Sequence, residues 1–85
     1  MRVLIPTPLR SYTNAAWVEA TGSTLAEVVA DLDRQYPGIA FRMINEQGRM
    51  RPHVRFFVNE VAVHDVSLRL APTDELCIVQ ALSGG

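Results

Sequence analysis

The chain has 85 residues, of which 48% are hydrophobic and 20% are charged, and its formal net charge is −1. This length accommodates one domain with one core, and the near-neutral charge argues against a nucleic-acid partner. All eight basic residues are arginine, so the chain cannot carry ubiquitin-style chains on side-chain amines of its own. The single cysteine, Cys77, cannot form an internal disulfide, which is typical of a reducing compartment.

The first segment, "RVLIPTPLR" at residues 2–10, predicts a β-strand with Val3 and Ile5 on one face. Pro6 and Pro8 interrupt its apolar run, and we expect them at unpaired or edge positions because proline cannot donate to a strand ladder. The interrupted run is also too short for a signal peptide or a membrane span. We therefore expect a soluble cytoplasmic protein without a membrane partner.

A second strand completes a predicted N-terminal hairpin. The polar cluster "SYTN" at residues 11–14 is typical of a turn. The next segment, residues 15–21, alternates between two faces, with Val18 on one and Trp17 on the other. Packing beneath a loop is the favoured environment for the Trp17 indole.

The clearest helical pattern follows. Thr24 and Glu27 have the spacing of a capping box, in which each side chain satisfies an unpaired backbone N–H. An apolar stripe recurs at helical spacing, at Leu25, Val28, Val29, Leu32 and Tyr36. The Pro37-Gly38 pair ends the helix. The acidic residues that lie off the stripe are expected to face solvent: Glu27, Asp31 and Asp33.

The remainder predicts three further strands. Residues 39–52 could form a short helical turn or an extended arm. The strongest strand is "HVRFFVN" at residues 53–59, with Val54, Phe56 and Val58 inward and Arg55 and Phe57 on the opposite face. A short strand follows a kink near Asn59-Glu60, and "ELCIVQAL" at residues 75–82 is the last strand. This order predicts an α+β fold with the helix across one sheet face; the pairing of the last strand beside the first is a further expectation.

The sequence resembles the sulfur-carrier family, which has the ubiquitin-like β-grasp fold and is represented by the thiamine sulfur carrier and the small subunit of molybdopterin synthase. The resemblance covers nearly the whole chain. It rests on Leu9-Arg10, on "TLAEVVADLDRQYPG" at residues 24–38, on "FFVN", on the turn before "DEL", and on the terminal "LSGG". The stretch "IPTPLRSYT" is most similar to the branch of the family that serves cysteine biosynthesis.

Two turns depart from the family pattern. The family commonly has glycine where this chain has Glu60, and Asp-Gly-Asp where this chain has Pro72-Thr73-Asp74. Both differences concern loop shape and partner choice more than chemistry. The resemblance implies a mixed sheet of four to five strands with one main helix, a β-grasp domain over residues 1–82, and a flexible Gly-Gly tail at residues 83–85.

The resemblance also implies a chemistry for the tail. A ubiquitin-activating-like adenylyltransferase would use ATP to adenylate the carboxylate of Gly85, and a sulfur donor enzyme would convert it to a thiocarboxylate for a sulfur-accepting synthase. Glycine suits this role because a residue without Cβ passes through a narrow channel. Gly84, Ser83 and Leu82 would enter that channel. The carrier itself would be a protein co-substrate, not an enzyme, and would bind no cofactor.

Two other functions stay open at this point. A ubiquitin-like modifier would join Gly85 to lysines of other proteins, and a plain interaction module would have an inert tail. An intact mass from native cells separates them, because the carrier gains sulfur in place of oxygen and the modifier gains a conjugated protein.

Other reactive or charged residues carry weaker signals. Cys77 has no neighbouring base to lower its pKa, so a structural role is favoured. His53 and His64 lack partners at metal-ligand spacing, so no metal site is expected. The arginines at 42, 49, 51 and 55 are either a solvated face or a docking patch for an acidic partner. Phe57 and Arg55 are the candidate partner contacts on the open sheet face; loop 39–50 covering Phe57 is the alternative.

Overall fold

The computed structural model describes residues 1–81. These residues form a five-stranded mixed sheet in the order β2-β1-β5-β3-β4, with β1 (Arg2–Leu4), β2 (Trp17–Glu19), β3 (Val54–Val58), β4 (Val61–Val63) and β5 (Glu75–Gln80). The α-helices are α1 (Arg10–Thr13), α2 (Leu25–Gln35) and α3 (Ile39–Met43). The predicted α+β class, with five strands and one main helix, is confirmed. The predicted boundary between residues 82 and 83 lies outside the described residues.

The first and last strands lie side by side. β1 pairs antiparallel with β2 and parallel with β5, and β5 pairs antiparallel with β3. The expected pairing of the last strand beside the first is therefore confirmed. Because β1 and β5 are parallel, the C-terminal end of β5 lies at the same edge of the sheet as the end of β1.

One face of the sheet packs on the helices. The core joins alternate strand residues to the apolar stripe of α2, and Val3, Phe56, Leu76 and Leu32 in it are completely buried. The period-two pattern predicted for β1, β2 and β3 therefore separates a buried face from an open one. α3 closes the core with Ile39 and Met43, both fully buried. Of the two alternatives for residues 39–52, the helical turn is therefore correct and the extended arm is wrong.

The start of α2 shows the predicted capping box with a one-residue offset. Thr24 Oγ1 accepts from the backbone N–H of Glu27 at 3.2 Å. The Glu27 carboxylate accepts in return from the N–H of Ser23 at 2.8 Å, and not from that of Thr24. Both side chains satisfy a backbone donor, as the motif requires.

Two acidic residues of α2 are half-buried instead of facing solvent. Asp31 accepts from the N–H of Thr21 at 3.1 Å. Asp33 accepts from the N–H groups of Gly38 and Ala40 at 3.0 and 3.1 Å, at the start of α3. The expectation was wrong for this pair because the adjoining loops present unpaired backbone donors, which attract a nearby carboxylate.

The segment predicted as a turn at residues 11–14 is helical. β1 ends at Leu4, a 3-10 turn follows at Thr7–Leu9, and α1 continues from it to an Asn14 in the left-handed region. Pro8 is the second residue of the 3-10 turn and causes no loss of a hydrogen bond, because the first N–H groups of a helix have no internal partner. Pro6 and Pro8 lie outside the strand pairing, as expected, at the point where the chain leaves the sheet.

The β3–β4 hairpin has the two-residue turn Asn59-Glu60. Both residues have positive φ, 50° and 71°, as in the turn type that matches strand twist and favours Asn-Gly. The Asn59 side chain donates to Asp74 at 2.9 Å and accepts from the N–H of Glu75 at 3.0 Å. The hairpin turn therefore fixes the start of β5.

Glu60→Gly is expected to stabilise the protein. A non-glycine residue in the left-handed region costs about 1–2 kcal/mol, and the extra entropy of glycine in the unfolded chain offsets about 0.4–1 kcal/mol of the gain. Urea unfolding should give a net increase of about 0.5–1 kcal/mol in the free energy of unfolding. The matched control is Glu46→Gly, an exposed loop position without positive φ, which should lower stability. A destabilising Glu60→Gly would contradict the turn geometry.

Candidate functional site

The site begins where β5 ends. Gln80 is the last residue of the strand, and the N–H of Ala81 donates to the carbonyl oxygen of His53 at 2.8 Å. We call this point the tail exit. The predicted functional residues Leu82, Ser83, Gly84 and Gly85 follow it directly and lie outside the described residues.

The face of the sheet that points away from the helices carries an apolar row across all five strands. The strand registers align Trp17, Leu4, Cys77, Phe57 and Ala62. We call the residues on this side the open sheet face. Arg55 and Val79 also lie on the open sheet face. They pair with each other two residues closer to the tail exit than Phe57 and Cys77 do, and Val79 is 43% exposed.

Phe57 lies on the open sheet face, as the alternation predicted. Its neighbour Phe56 is fully buried in the core, whereas Phe57 is half-buried and takes no part in the core cluster. Its cross-strand neighbours are Cys77 and Ala62. The exposed guanidinium of Arg55 donates to the carbonyl oxygens of Pro52 and Val54. The structure gives both side chains an accessible position; partner docking through them stays a prediction.

Trp17 is covered by an arginine, and the expected packing beneath a loop was wrong. The Arg2 guanidinium lies over the indole at 4.1 Å from the ring centroid and pairs with Glu75 at 3.4 Å. The register explains this arrangement, because Arg2 and Trp17 share the open sheet face on neighbouring strands. The indole remains 39% exposed.

Cys77 lies in the middle of the apolar row. Burial, with a smaller effect from the charge of Glu75, raises the pKa of its thiol above the ordinary value. A raised pKa lowers the thiolate fraction at neutral pH, and the thiolate is the nucleophile. The geometry therefore agrees with a structural cysteine.

The four arginines at 42, 49, 51 and 55 do not form one patch. Arg42 and Arg51 line a cavity next to the tail exit, together with His53 and Tyr12. Arg49 and Arg55 line a second cavity, which Arg51 also reaches. Sequence reasoning missed Tyr12, because no pattern links two residues that are 30 positions apart and meet only through tertiary structure.

His53 and His64 are both exposed. Within residues 1–81, no three histidine, cysteine or acidic side chains are close enough together to hold a metal ion. In the same part of the chain, no helix has the length and hydrophobicity to cross a bilayer.

The arrangement defines the fold class first. A mixed five-stranded sheet with parallel first and last strands at its centre and one main helix across one face is a ubiquitin-like β-grasp. Solved structures agree: the CysO chain in the BexX/CysO complex of Amycolatopsis orientalis has a TM-score of 0.90 and 31% identity, covering 99% of this chain and 98% of that one. Small archaeal modifier protein 1 of Methanosarcina acetivorans, with a TM-score of 0.81, 18% identity and coverage of 99% and 94%, shares the fold.

The family follows from the sequence comparisons. The model of the ThiS family matches residues 3–85. The sulfur carrier protein CysO of Mycobacterium tuberculosis is 34% identical over 89 aligned residues, covering 98% of this chain and 96% of the relative. This chain belongs to the ThiS family, and the resemblance to β-grasp sulfur carriers is confirmed.

Alkylation of Cys77 by iodoacetamide at pH 7.5 is expected to be several-fold slower than that of glutathione, because the raised pKa leaves less thiolate. The rate should climb as pH rises through the elevated pKa. The urea-unfolded chain, in which burial is lost, is the control and should react at the glutathione rate. A native rate above that of glutathione would indicate an activated cysteine and contradict the structural role.

Proposed function

We propose that this protein is a sulfur carrier whose Gly85 carboxylate becomes a thiocarboxylate. The observation that carries the proposal is the match of the ThiS family model through residue 85 on a chain whose final strand lies at the centre of the sheet. Similarity to CysO proteins, together with the resemblance of residues 5–13, supports the branch that serves cysteine biosynthesis. The free thiol of Cys77 and the need for ATP favour the cytoplasm.

The chemistry requires a partner. A carboxylate is a poor electrophile, so one of its oxygens attacks the α-phosphorus of ATP and displaces pyrophosphate, which gives an acyl adenylate. Hydrosulfide delivered by the sulfur donor enzyme then attacks the acyl carbon, AMP leaves with the electron pair of the broken C–O bond, and loss of the S–H proton leaves a thiocarboxylate on Gly85. The thiocarboxylate is ionised and soft, and it is therefore a good nucleophile at neutral pH. ATP binds the partner, and the carrier supplies the reacting carboxylate.

The central position of β5 supports this role for the tail. β1 pairs with one edge of β5 and β3 with the other, so the strand cannot swing away from the body. The N–H of Ala81 is still hydrogen-bonded to His53. A rigid base and side-chain-free glycines at the far end suit insertion into a narrow channel, because the base fixes direction and the glycines permit close approach. Leu82 and Ser83 connect the two parts.

The open sheet face is the surface we assign to partner docking. A half-buried Phe57, an exposed Arg55 and a 43% exposed Val79 lie beside the tail exit, which is the composition of an interaction surface. A CysO protein of the same fold was crystallised in a complex with BexX, which supports docking of a protein partner. We propose a ubiquitin-activating-like adenylyltransferase as the first partner and a sulfur-accepting synthase as the second.

Deletion of Gly85, or addition of one alanine after it, is expected to abolish sulfur loading, because the reacting carbon is removed or displaced. The measurement is the intact mass of the carrier recovered from native cells, in which replacement of one oxygen by sulfur adds about 16 Da. Urea unfolding should give the wild-type stability for both variants, since the change lies beyond the sheet.

The same spectra decide between the alternative functions. Conjugates whose digests leave Gly-Gly on lysine would identify a protein modifier. An unchanged mass in the wild type would indicate an inert tail. Cys77→Ala is the control, and it should retain full sulfur loading. Loss of the added sulfur in this variant would show that the cysteine carries it and would overturn the proposal.

Phe57→Ala is expected to weaken binding to the adenylating enzyme about tenfold or more, as for a central aromatic contact. The half-buried ring contributes about 1 kcal/mol to stability. Phe56→Ala is the matched control: it empties a core position and should cost about 3–5 kcal/mol. Calorimetry measures binding and urea unfolding measures stability. Equal losses of stability at the two positions would place Phe57 in the core and remove the docking assignment.

A further inference from the structure

A cationic cavity of about 450 Å³ lies at the tail exit, on the opposite side of β5 from Phe57. Its lining residues are Pro8, Leu9, Ser11, Tyr12, Phe41, Arg42, Arg51, His53 and Gln80. We call it the tail-exit pocket. Among residues 1–81, two arginines and a histidine line it and no carboxylate does. Gln80 is the last residue of β5 and the N–H of Ala81 donates to His53, so the tail starts at the wall of the pocket.

Both guanidinium groups in the pocket are already oriented. Arg42 Nε donates to the Tyr12 hydroxyl at 2.9 Å. Arg51 Nε donates to the carbonyl oxygen of Phe41 at 2.6 Å, and its guanidinium carbon lies 4.5 Å from the centroid of the Phe41 ring. Each contact uses the Nε edge and leaves the two terminal nitrogens, which form the fork that binds a carboxylate with two parallel hydrogen bonds.

The pocket lacks counter-charges within the described part of the chain. Among residues 1–81, the ion pairs involve Arg2, Arg34 and the N-terminus, and neither Arg42 nor Arg51. Gln80 Oε1 is buried and accepts no hydrogen bond in this same range, which costs free energy. A bound segment that supplies carboxylates to Arg42 and Arg51 and an N–H donor to Gln80 would satisfy all three side chains.

The tail geometry that insertion into a channel requires argues against the nucleotide as the occupant. In that proposed state, four fully extended residues would carry the Gly85 carboxylate about 13 Å beyond Ala81. ATP phosphates at that carbon are too far from Arg42 and Arg51 for contact. The group that lies next to the pocket is instead the part of the partner enzyme that surrounds the base of the tail.

We propose that the tail-exit pocket binds carboxylate side chains on the rim of the enzyme channel that takes the tail. This inference rests on the proposed function and identifies a second docking element for it. A channel encloses the tail from all sides, so its rim must meet both faces of β5. Cys77 and Val79 face the open side, and Gln80 faces the pocket. Preformed positive charge on the pocket side matches an acidic rim and holds the direction of the tail.

The test is charge reversal with a matched control. The probe enzyme is the fraction of native cell extract that catalyses ATP–pyrophosphate exchange dependent on this carrier. Arg42→Glu/Arg51→Glu should raise the KM for the carrier about tenfold or more and leave kcat unchanged, because the pocket does not contact the reacting carbon. Wild-type KM should rise with salt, and that of the variant should not.

Arg69→Glu is the control for charge. Arg69 is exposed and forms an isolated bridge with Thr24 at the start of α2, and it does not line the tail-exit pocket. The KM for the Arg69→Glu carrier should stay within about twofold of the wild-type value. Arg42→Lys/Arg51→Lys keeps the charge without the fork, so an intermediate KM is expected, and this milder variant retains the test if charge reversal unfolds the protein.

Three outcomes would overturn the inference, and they are distinguishable. A wild-type KM in both double variants contradicts the pocket alone and leaves the carrier function intact. An absence of carrier-dependent exchange with the wild type contradicts the proposed function and this inference together. A shift of the Arg42 and Arg51 Nε–H NMR signals on removal of residues 82–85 from the free protein would show that the tail itself fills the pocket.

Discussion

The parallel pairing of β1 with β5 is the constraint on which the rest of the structure depends. It joins residues 2–4 to residues 75–77, and Val3 and Leu76 at its centre are completely buried. A parallel pair cannot close with a tight turn, so every other element lies in the crossover between the two strands. The pairing also places the last strand between two neighbours, and this fixes the base of the tail. The carrier function that we propose, delivery of one carbon atom into another protein, depends on this rigidity.

The division of the sheet into two faces separates the core from the surface that we propose for docking. Residues such as Phe56 and Ile78 face α2 and α3 and supply the core, while their immediate neighbours Phe57 and Val79 face outward. Because side chains alternate along a strand, one strand serves both purposes without compromise. The charged groups are distributed unequally: Arg2 pairs with Glu75 far from the tail, whereas Arg42 and Arg51 have no acidic partner among residues 1–81. Arg42 and Arg51 therefore place positive charge without a counter-ion beside the end of β5, at the surface that we propose for a partner.

The candidate site shows which parts sequence reasoning can reach. The outward position of Phe57 follows from a period of two, whereas the chemistry of the C-terminal glycines is implied by the family resemblance and stays a prediction. Trp17 was placed wrongly because its cover is a side chain from a neighbouring strand. The tail-exit pocket was missed because Tyr12 on α1, Phe41 and Arg42 on α3, and His53 before β3 have no common pattern along the chain.

The sequence alone determined the α+β class, the capped main helix with its apolar stripe, the turn at Asn59-Glu60 and the family, because each depends on local spacing or on a motif that covers nearly the whole chain. Tertiary structure decided the helical path through residues 7–13, the half-buried roles of Asp31 and Asp33, and the grouping of Arg42 and Arg51 beside the end of β5. The reason is physical: a backbone donor or a guanidinium takes the acceptor that folding brings within about 3 Å, and periodicity holds no information about distances between segments remote in the chain.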